Sequence, residues 1–207
     1  ITVDALEAGN WIGQYAVSYT SFDPTEPDYV CESDASEPIE LEFNPIPATP
    51  EPTNDGPVCE GNDVTMFANG AADTYEWTDA DGNVVSVLEN PDVSGLTAGS
   101  YTYGLSITID GCESLVGTTT ITIHDLPVAD TDVEYELTDD CAYSDITLIA
   151  GVSEGTAPYE YEWSGPNGFT STLSDPTVAN AGVSTNGTYT VFVTDANGCT
   201  TTGETEV

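Results

Sequence analysis

The chain has 207 residues, of which 39% are hydrophobic, with eleven tyrosines and three tryptophans, enough apolar mass for compact cores and against global disorder. It has no lysine and no arginine against 37 acidic residues, a formal net charge of −37. That balance leaves one histidine and any free amino terminus as the cations available for intramolecular salt bridges, and excludes nucleic acid and anionic lipid surfaces as partners, since both are gripped through basic side chains; carboxylate repulsion must be relieved by sodium, calcium or magnesium from solution.

No window approaches eighteen uninterrupted apolar residues, so no direct membrane insertion is expected. The first stretch, residues 1–46, reads as the C-terminal half of a module. Leu6-Glu7-Ala8-Gly9 parallels Leu96-Thr97-Ala98-Gly99, a strand is expected over Tyr15–Tyr19, and Ile39–Phe43 reads as a closing strand. The early half of that module is missing, so preceding residues or a neighbouring subunit are expected to complete it. Residues 47–57 follow as a proline-rich linker; the stretch Asn44–Pro57 holds five of the thirteen prolines and favours an extended, semi-rigid path.

Residues 58–126 form the first complete module. Val64, Met66 and Ala68 alternate along one strand, Tyr75-Glu76-Trp77 lies on the next, and Asp79-Ala80-Asp81-Gly82-Asn83 is a turn. Gly99 then opens an alternating run through Tyr101, Tyr103, Leu105, Ile107 and Ile109 to Cys112, and Thr118–His124 closes the module. Residues 127–207 repeat the plan, with Ile146, Leu148 and Ala150 on one face, then Trp163, then Gly187–Cys199, in which Tyr189, Val191 and Val193 alternate. Asn197-Gly198 supplies the hairpin turn that tolerates positive φ. Tyr15, Tyr101 and Tyr189 follow glycine by two residues in each copy, which marks serial modules. Short strands separated by turn signals point to an all-β fold: antiparallel β-sandwich modules in an elongated tandem array.

The five cysteines follow the same plan. Cys59 is expected to pair with Cys112, and Cys141 with Cys199, each joining the start of an early strand to the start of the last one. Cys31 matches Cys112 in position, so its partner is expected outside this segment. No C-x-x-C pair or histidine-rich cluster points to zinc.

Cysteine, strand, Tyr-x-Trp, Gly-x-Tyr and Gly-Cys in that order resemble the tandem immunoglobulin-like and PKD-like modules of large Bacteroidota cell-surface proteins. Residues 127–207 look closest to the repeats of gliding-motility adhesins, through Pro158–Phe169 and Tyr189–Cys199. The resemblance implies type IX secretion, an extracellular, cell-surface location and display in filaments, with neighbouring modules or subunits as partners.

Calcium is the candidate cofactor, with Asp79, Asp81 and Asn83 as hard oxygen ligands, and Asp130, Asp132, Asp139 and Asp140 as a second acidic group. The turn at Asp79 lacks the downstream bidentate glutamate of a twelve-residue calcium loop, and the ordinary hairpin reading is the stronger one. His124, alone at a strand end, reads as a solvated residue. Asn186-Gly187-Thr188 is a glycosylation sequon. A single histidine cannot furnish a nucleophilic triad in more than one module, and the tyrosine and tryptophan of each Tyr-x-Trp read as core rather than as a sugar platform. The expected function is a non-enzymatic structural or adhesive repeat segment of a large cell-surface adhesin or filament; the alternative is an accessory, carbohydrate-binding region of a secreted polysaccharide-degrading enzyme, with surface polysaccharide as ligand.

Overall fold

The computed structural model describes residues 9–11, 20–22, 30–32, 41–135 and 144–207. In the amino-terminal stretch, β1 (Gly9–Trp11) pairs antiparallel with β4 (Leu41–Phe43), and β2 (Thr20–Phe22) pairs antiparallel with β3 (Val30–Glu32). The end of the closing strand expected over Ile39–Phe43 is thus a strand. The one expected over Tyr15–Tyr19 lies outside the described residues, as does Cys141, and so do Asp139 and Asp140.

The next module has β5 (Thr53–Asn54), β6 (Val58–Cys59), β7 (Val64–Phe67), β8 (Thr74–Thr78), β9 (Val84–Ser86), β10 (Asp92–Val93), β11 (Gly99–Ile109), β12 (Cys112–Glu113) and β13 (Gly117–His124). One sheet runs β10-β7-β5; the other runs β6-β13-β11-β8-β9, with β12 paired to the end of β11. Alternation places the inward residues. Val64, Met66, Ala68, Trp77, Tyr103, Leu105, Ile107, Ile121 and Ile123 form one buried cluster between the sheets. Trp77 is fully buried, and its indole N–H donates to the Leu88 carbonyl at 3.0 Å. Removing a side chain of that size from water contributes roughly 4–6 kcal/mol before the entropy of ordering it.

The proline-rich stretch is not a free linker. Pro52 is buried, Thr53 and Asn54 pair with Phe67 and Met66, and Asn54 Nδ2 donates to Thr119 Oγ1 at 2.8 Å and to the Thr120 carbonyl at 3.1 Å. Prolines cannot donate to a ladder, but an edge strand needs only one of its sides paired. Val58 and Cys59 then cross to the other sheet and run parallel to Ile123 and His124. Gly117 makes this close packing possible: a Cβ there would sit 1.9 Å from the Pro50 carbonyl oxygen. Residues 50–59 therefore belong to this module, and its start moves upstream of Val58.

After Asp125–Pro127 the last module holds β14 (Val128–Tyr135), β15 (Ser144–Ser153), β16 (Glu160–Gly165), β17 (Phe169–Ser171), β18 (Thr177–Ala181), β19 (Thr188–Thr194) and β20 (Thr200–Glu206). Its sheets are β14-β15-β18 and β17-β16-β19-β20, all antiparallel. Ile146, Leu148, Ala150, Trp163, Val178, Tyr189, Val191 and Val193 form its core. The indole of Trp163 donates to the Ser174 carbonyl at 3.3 Å, the same eleven-residue step as in the module before. Tyr101 and Tyr189 each donate their hydroxyl, at 3.0 Å, to the carbonyl four residues upstream, on Thr97 and Thr185. These bonds pin the corner where each chain enters its long central strand. Asp130 and Asp132 lie on the exposed face of β14, opposite Gly151 and Ile149 in the β14–β15 ladder.

Candidate functional site

The modules meet where β13 ends and β14 begins. Cys59 runs beside His124, and its sulfur is bonded to that of Cys199, at the β19–β20 hairpin, with Cα atoms 5.6 Å apart. The cross-link spans 140 positions and joins one module to the next. It replaces both pairings expected from the repeat plan. Cys59 lies at the end of the sheet where Gly99 faces Ile123, whereas Cys112 pairs with Ile109 at the other end of β11. Ten residues of strand separate those ends by about 30 Å, and a disulfide requires Cα atoms within about 7 Å. Cys112 is half-buried and unpaired among the described residues, its thiol 3.6 Å from the Asn44 carbonyl oxygen. Cys199, bonded to Cys59, is not available to Cys141.

Cys199 owes its position to Asp195, which is buried with 5% of its surface exposed. One carboxylate oxygen accepts the backbone N–H of Asn197 at 2.9 Å and of Cys199 at 2.8 Å; the other accepts the Thr156 N–H at 2.9 Å from the loop between β15 and β16. The Ala196 N–H donates to the Thr156 carbonyl at 2.8 Å, and the Asn197 amide donates to the Thr156 hydroxyl at 2.9 Å. Burial pushes the Asp195 carboxyl up. The Thr156, Cys199 and Asn197 amides, with His124 across the junction, outweigh it and hold the group below the ordinary aspartate value. His124 is therefore half-buried at a junction and not a solvated strand end.

Pro127, in the three-residue connector, is fully buried. Gly155, at φ +63°, lets the loop close over it, since a Cβ there would stand 3.0 Å from the Pro127 nitrogen. The hairpin expected at Asn197-Gly198 is present, but only Gly198 is left-handed, at φ +82°. The loop closes through Asp195 instead of a two-residue turn.

The other candidate residues fall elsewhere. Asp79 Oδ1 accepts the Asp81 and Asn83 amides at 2.9 Å each, and the Asn83 side-chain nitrogen lies 2.9 Å from Oδ2. The Asn83 side chain, then its backbone amide, hold the Asp79 carboxyl below its ordinary value, against a small opposing effect of burial. The turn thus offers Asn83 N–H donors where a cation needs oxygens. Among the described residues no group of three or more His, Cys, Asp or Glu side chains is arranged to hold a metal, and no helix is long and apolar enough to cross a membrane. Asn186 is exposed, just after the short turn Val183–Thr185. Cys31 lies in β3. The junction itself was missed by reading each module alone; a cysteine in a two-residue strand carries no periodic signal.

No protein-family model matches the chain, and no curated protein matches it. Solved structures do. The N-terminal eight Ig domains of Down Syndrome Cell Adhesion Molecule (isoform 1.30.30) align at TM-score 0.50 and 13% identity, covering 93% of this chain and 35% of that one. The fold is a tandem of immunoglobulin-like sandwiches. DIP-gamma IG1+IG2 aligns at TM-score 0.39 and 12% identity, over 76% of this chain and 96% of that one. The three N-terminal domains of the bacteriophage RB49 Highly Immunogenic Outer Capsid protein align at TM-score 0.36 and 20% identity, over 76% and 58%. Immunoglobulin-like features account for the buried tryptophan and the corner tyrosine of each module. The position two residues after that tyrosine, a cysteine in antibody domains, is here Tyr103 or Val191. Among the described residues the disulfide runs between sandwiches and not within one.

Proposed function

We propose that this chain is a non-enzymatic structural and adhesive segment of an extracellular, cell-surface protein, in which immunoglobulin-like modules are held in fixed succession. The observation that carries this reading is the Cys59–Cys199 bond between modules. Disulfides persist in oxidising compartments outside the cytosol, and one that joins two separate cores contributes order between modules rather than a reactive centre. The acidic surface, with no lysine or arginine, supports the same reading: it keeps an exported chain soluble and offers trypsin-like proteases no cleavage site. The resemblance of residues 127–207 to gliding-motility adhesin repeats of Bacteroidota supports type IX secretion and filamentous display, with neighbouring modules or subunits as partners.

Calcium acts in this reading as a counter-ion to the carboxylate surface, and Asn186 is an accessible acceptor for a glycan. A carbohydrate platform built on Trp77 and Trp163 is disfavoured by their burial in the two cores. Antibodies raised against residues 44–207, applied to intact cells that make the full-length protein, test the location. Staining without permeabilisation is expected; staining only after permeabilisation would refute a surface role.

A further inference from the structure

We infer that the Cys59–Cys199 bond is a mechanical bypass: tension applied along the chain crosses from Cys59 to Cys199 and leaves both sandwich cores unloaded. The inference rests on the reading of the chain as a surface stalk, and it assigns the cross-link a task beyond holding two modules together.

The path of the chain carries the argument. Asn44 sits at one end of the first sandwich, where its side-chain amide donates to the Asp110 carbonyl at 3.0 Å. From there the chain runs lengthwise along the module: Pro50 lies against Gly117, Asn54 bonds to Thr119 and Thr120, and Val58 pairs with Ile123. It reaches Cys59 at the opposite end, beside His124. The exit is equally direct. Thr200–Glu206 follows Cys199 as strand β20, paired along its whole length with β19. The Val207 N–H donates to the Gly187 carbonyl at 3.1 Å, and the Gly187 N–H donates to the Val207 carbonyl at 3.0 Å.

Thr200–Glu206 is a strand, close to the maximal reach of about 3.3–3.6 Å per residue, and has little slack to yield under load; residues 44–59 hold two short strands, Thr53–Asn54 and Val58–Cys59, within irregular backbone that spans the length of the first module. Pulling Asn44 away from Val207 therefore tensions residues 44–59 and 199–207, two stretches joined by a covalent bond. Both cores lie inside the loop closed by that bond. Without it, the same pull would pass through the two sandwiches in series, and each would have to unfold to relieve it.

Single-molecule stretching of the full chain between terminal handles tests this. The background variant Cys31→Ser/Cys112→Ser/Cys141→Ser leaves only the proposed pair. Under oxidising conditions the chain is expected to stop short, and adding reductant is expected to release a further contour length of roughly 500 Å, 140 positions at about 3.6 Å each. Cys199→Ser in the same background should give the reduced length without reductant. Equal lengths with and without reductant would overturn the bypass, as would a wild-type chain that lengthens on Cys112→Ser. The measurement uses purified protein, so a bypass found in a chain that fails to stain intact cells would refute the surface role alone, and the converse result would refute the bypass alone.

Discussion

Two hairpins in this chain are built on the same five-residue turn, Asp79–Asn83 between β8 and β9 and Asp195–Cys199 between β19 and β20. In each, the aspartate Oδ1 accepts the amides two and four residues on, at 2.8–2.9 Å. The aspartate N–H donates to the fifth carbonyl at 2.9 Å in both, and the glycine at the fourth place sits at φ +83° or +82°. They differ in what the second carboxylate oxygen finds. For Asp79 it is Asn83 of its own turn, near the surface; for Asp195 it is Thr156 of another loop, in a buried junction whose fifth residue bonds to Cys59. Local chemistry sets the turn, and tertiary neighbours decide whether the turn becomes a site.

Loss of the bond itself should have the largest effect. Cys199→Ser removes a cross-link spanning 140 positions, for which a chain-entropy treatment gives about 5 kcal/mol. A lower melting temperature is expected, with the two modules melting as separate transitions; a single unchanged transition would mean that the bond does not couple them.

Asp195→Ala comes next. It strands three backbone N–H groups in a buried site, at a cost of about 3 kcal/mol or more, whereas Asp79→Ala frees amides that water can reach and should destabilise much less. Equal losses in chemical denaturation would erase the distinction between the two turns.

The pH dependence sharpens the same point. The Asp195 carboxyl titrates below its unfolded value near 3.9, so its contribution is fully present above that value and is lost as pH falls through the folded one. The stability gap between wild type and Asp195→Asn should close as pH falls below about 4. A gap that fails to close at low pH would contradict the assignment.

The smallest effects should be the same at both places. Gly82→Ala and Gly198→Ala each put a Cβ at left-handed φ with no atom within 4 Å, so each is expected to cost about 1–2 kcal/mol of backbone strain and nothing in packing. A much larger loss at Gly198 would reveal a contact that the turn geometry does not contain.

Much of the fold was legible in residue order. The alternations at Val64–Ala68, Ile146–Ala150 and Tyr189–Val193 mark buried faces because a strand exposes every second residue to the same side. The two tryptophans were readable as core for the same reason. Cysteine pairing was not legible, because a repeat suggests equivalent bonds in each copy while pairing depends on which strand ends meet. Val58–Cys59, parallel to Ile123–His124, is two residues long and has no period to read. The prolines misled in a related way: Pro52 is buried beside an edge strand, where a missing N–H costs little, and composition alone does not separate that from a linker.

The central claim is the connection between modules, and peptide mapping under non-reducing conditions tests it most directly. The chain has no lysine or arginine, so an acid-specific protease is the tool. One disulfide-linked species containing Cys59 and Cys199 is predicted, resolving into its two peptides on reduction. Linked peptides joining Cys59 to Cys112, and Cys141 to Cys199, would contradict it and return each bond to its own sandwich.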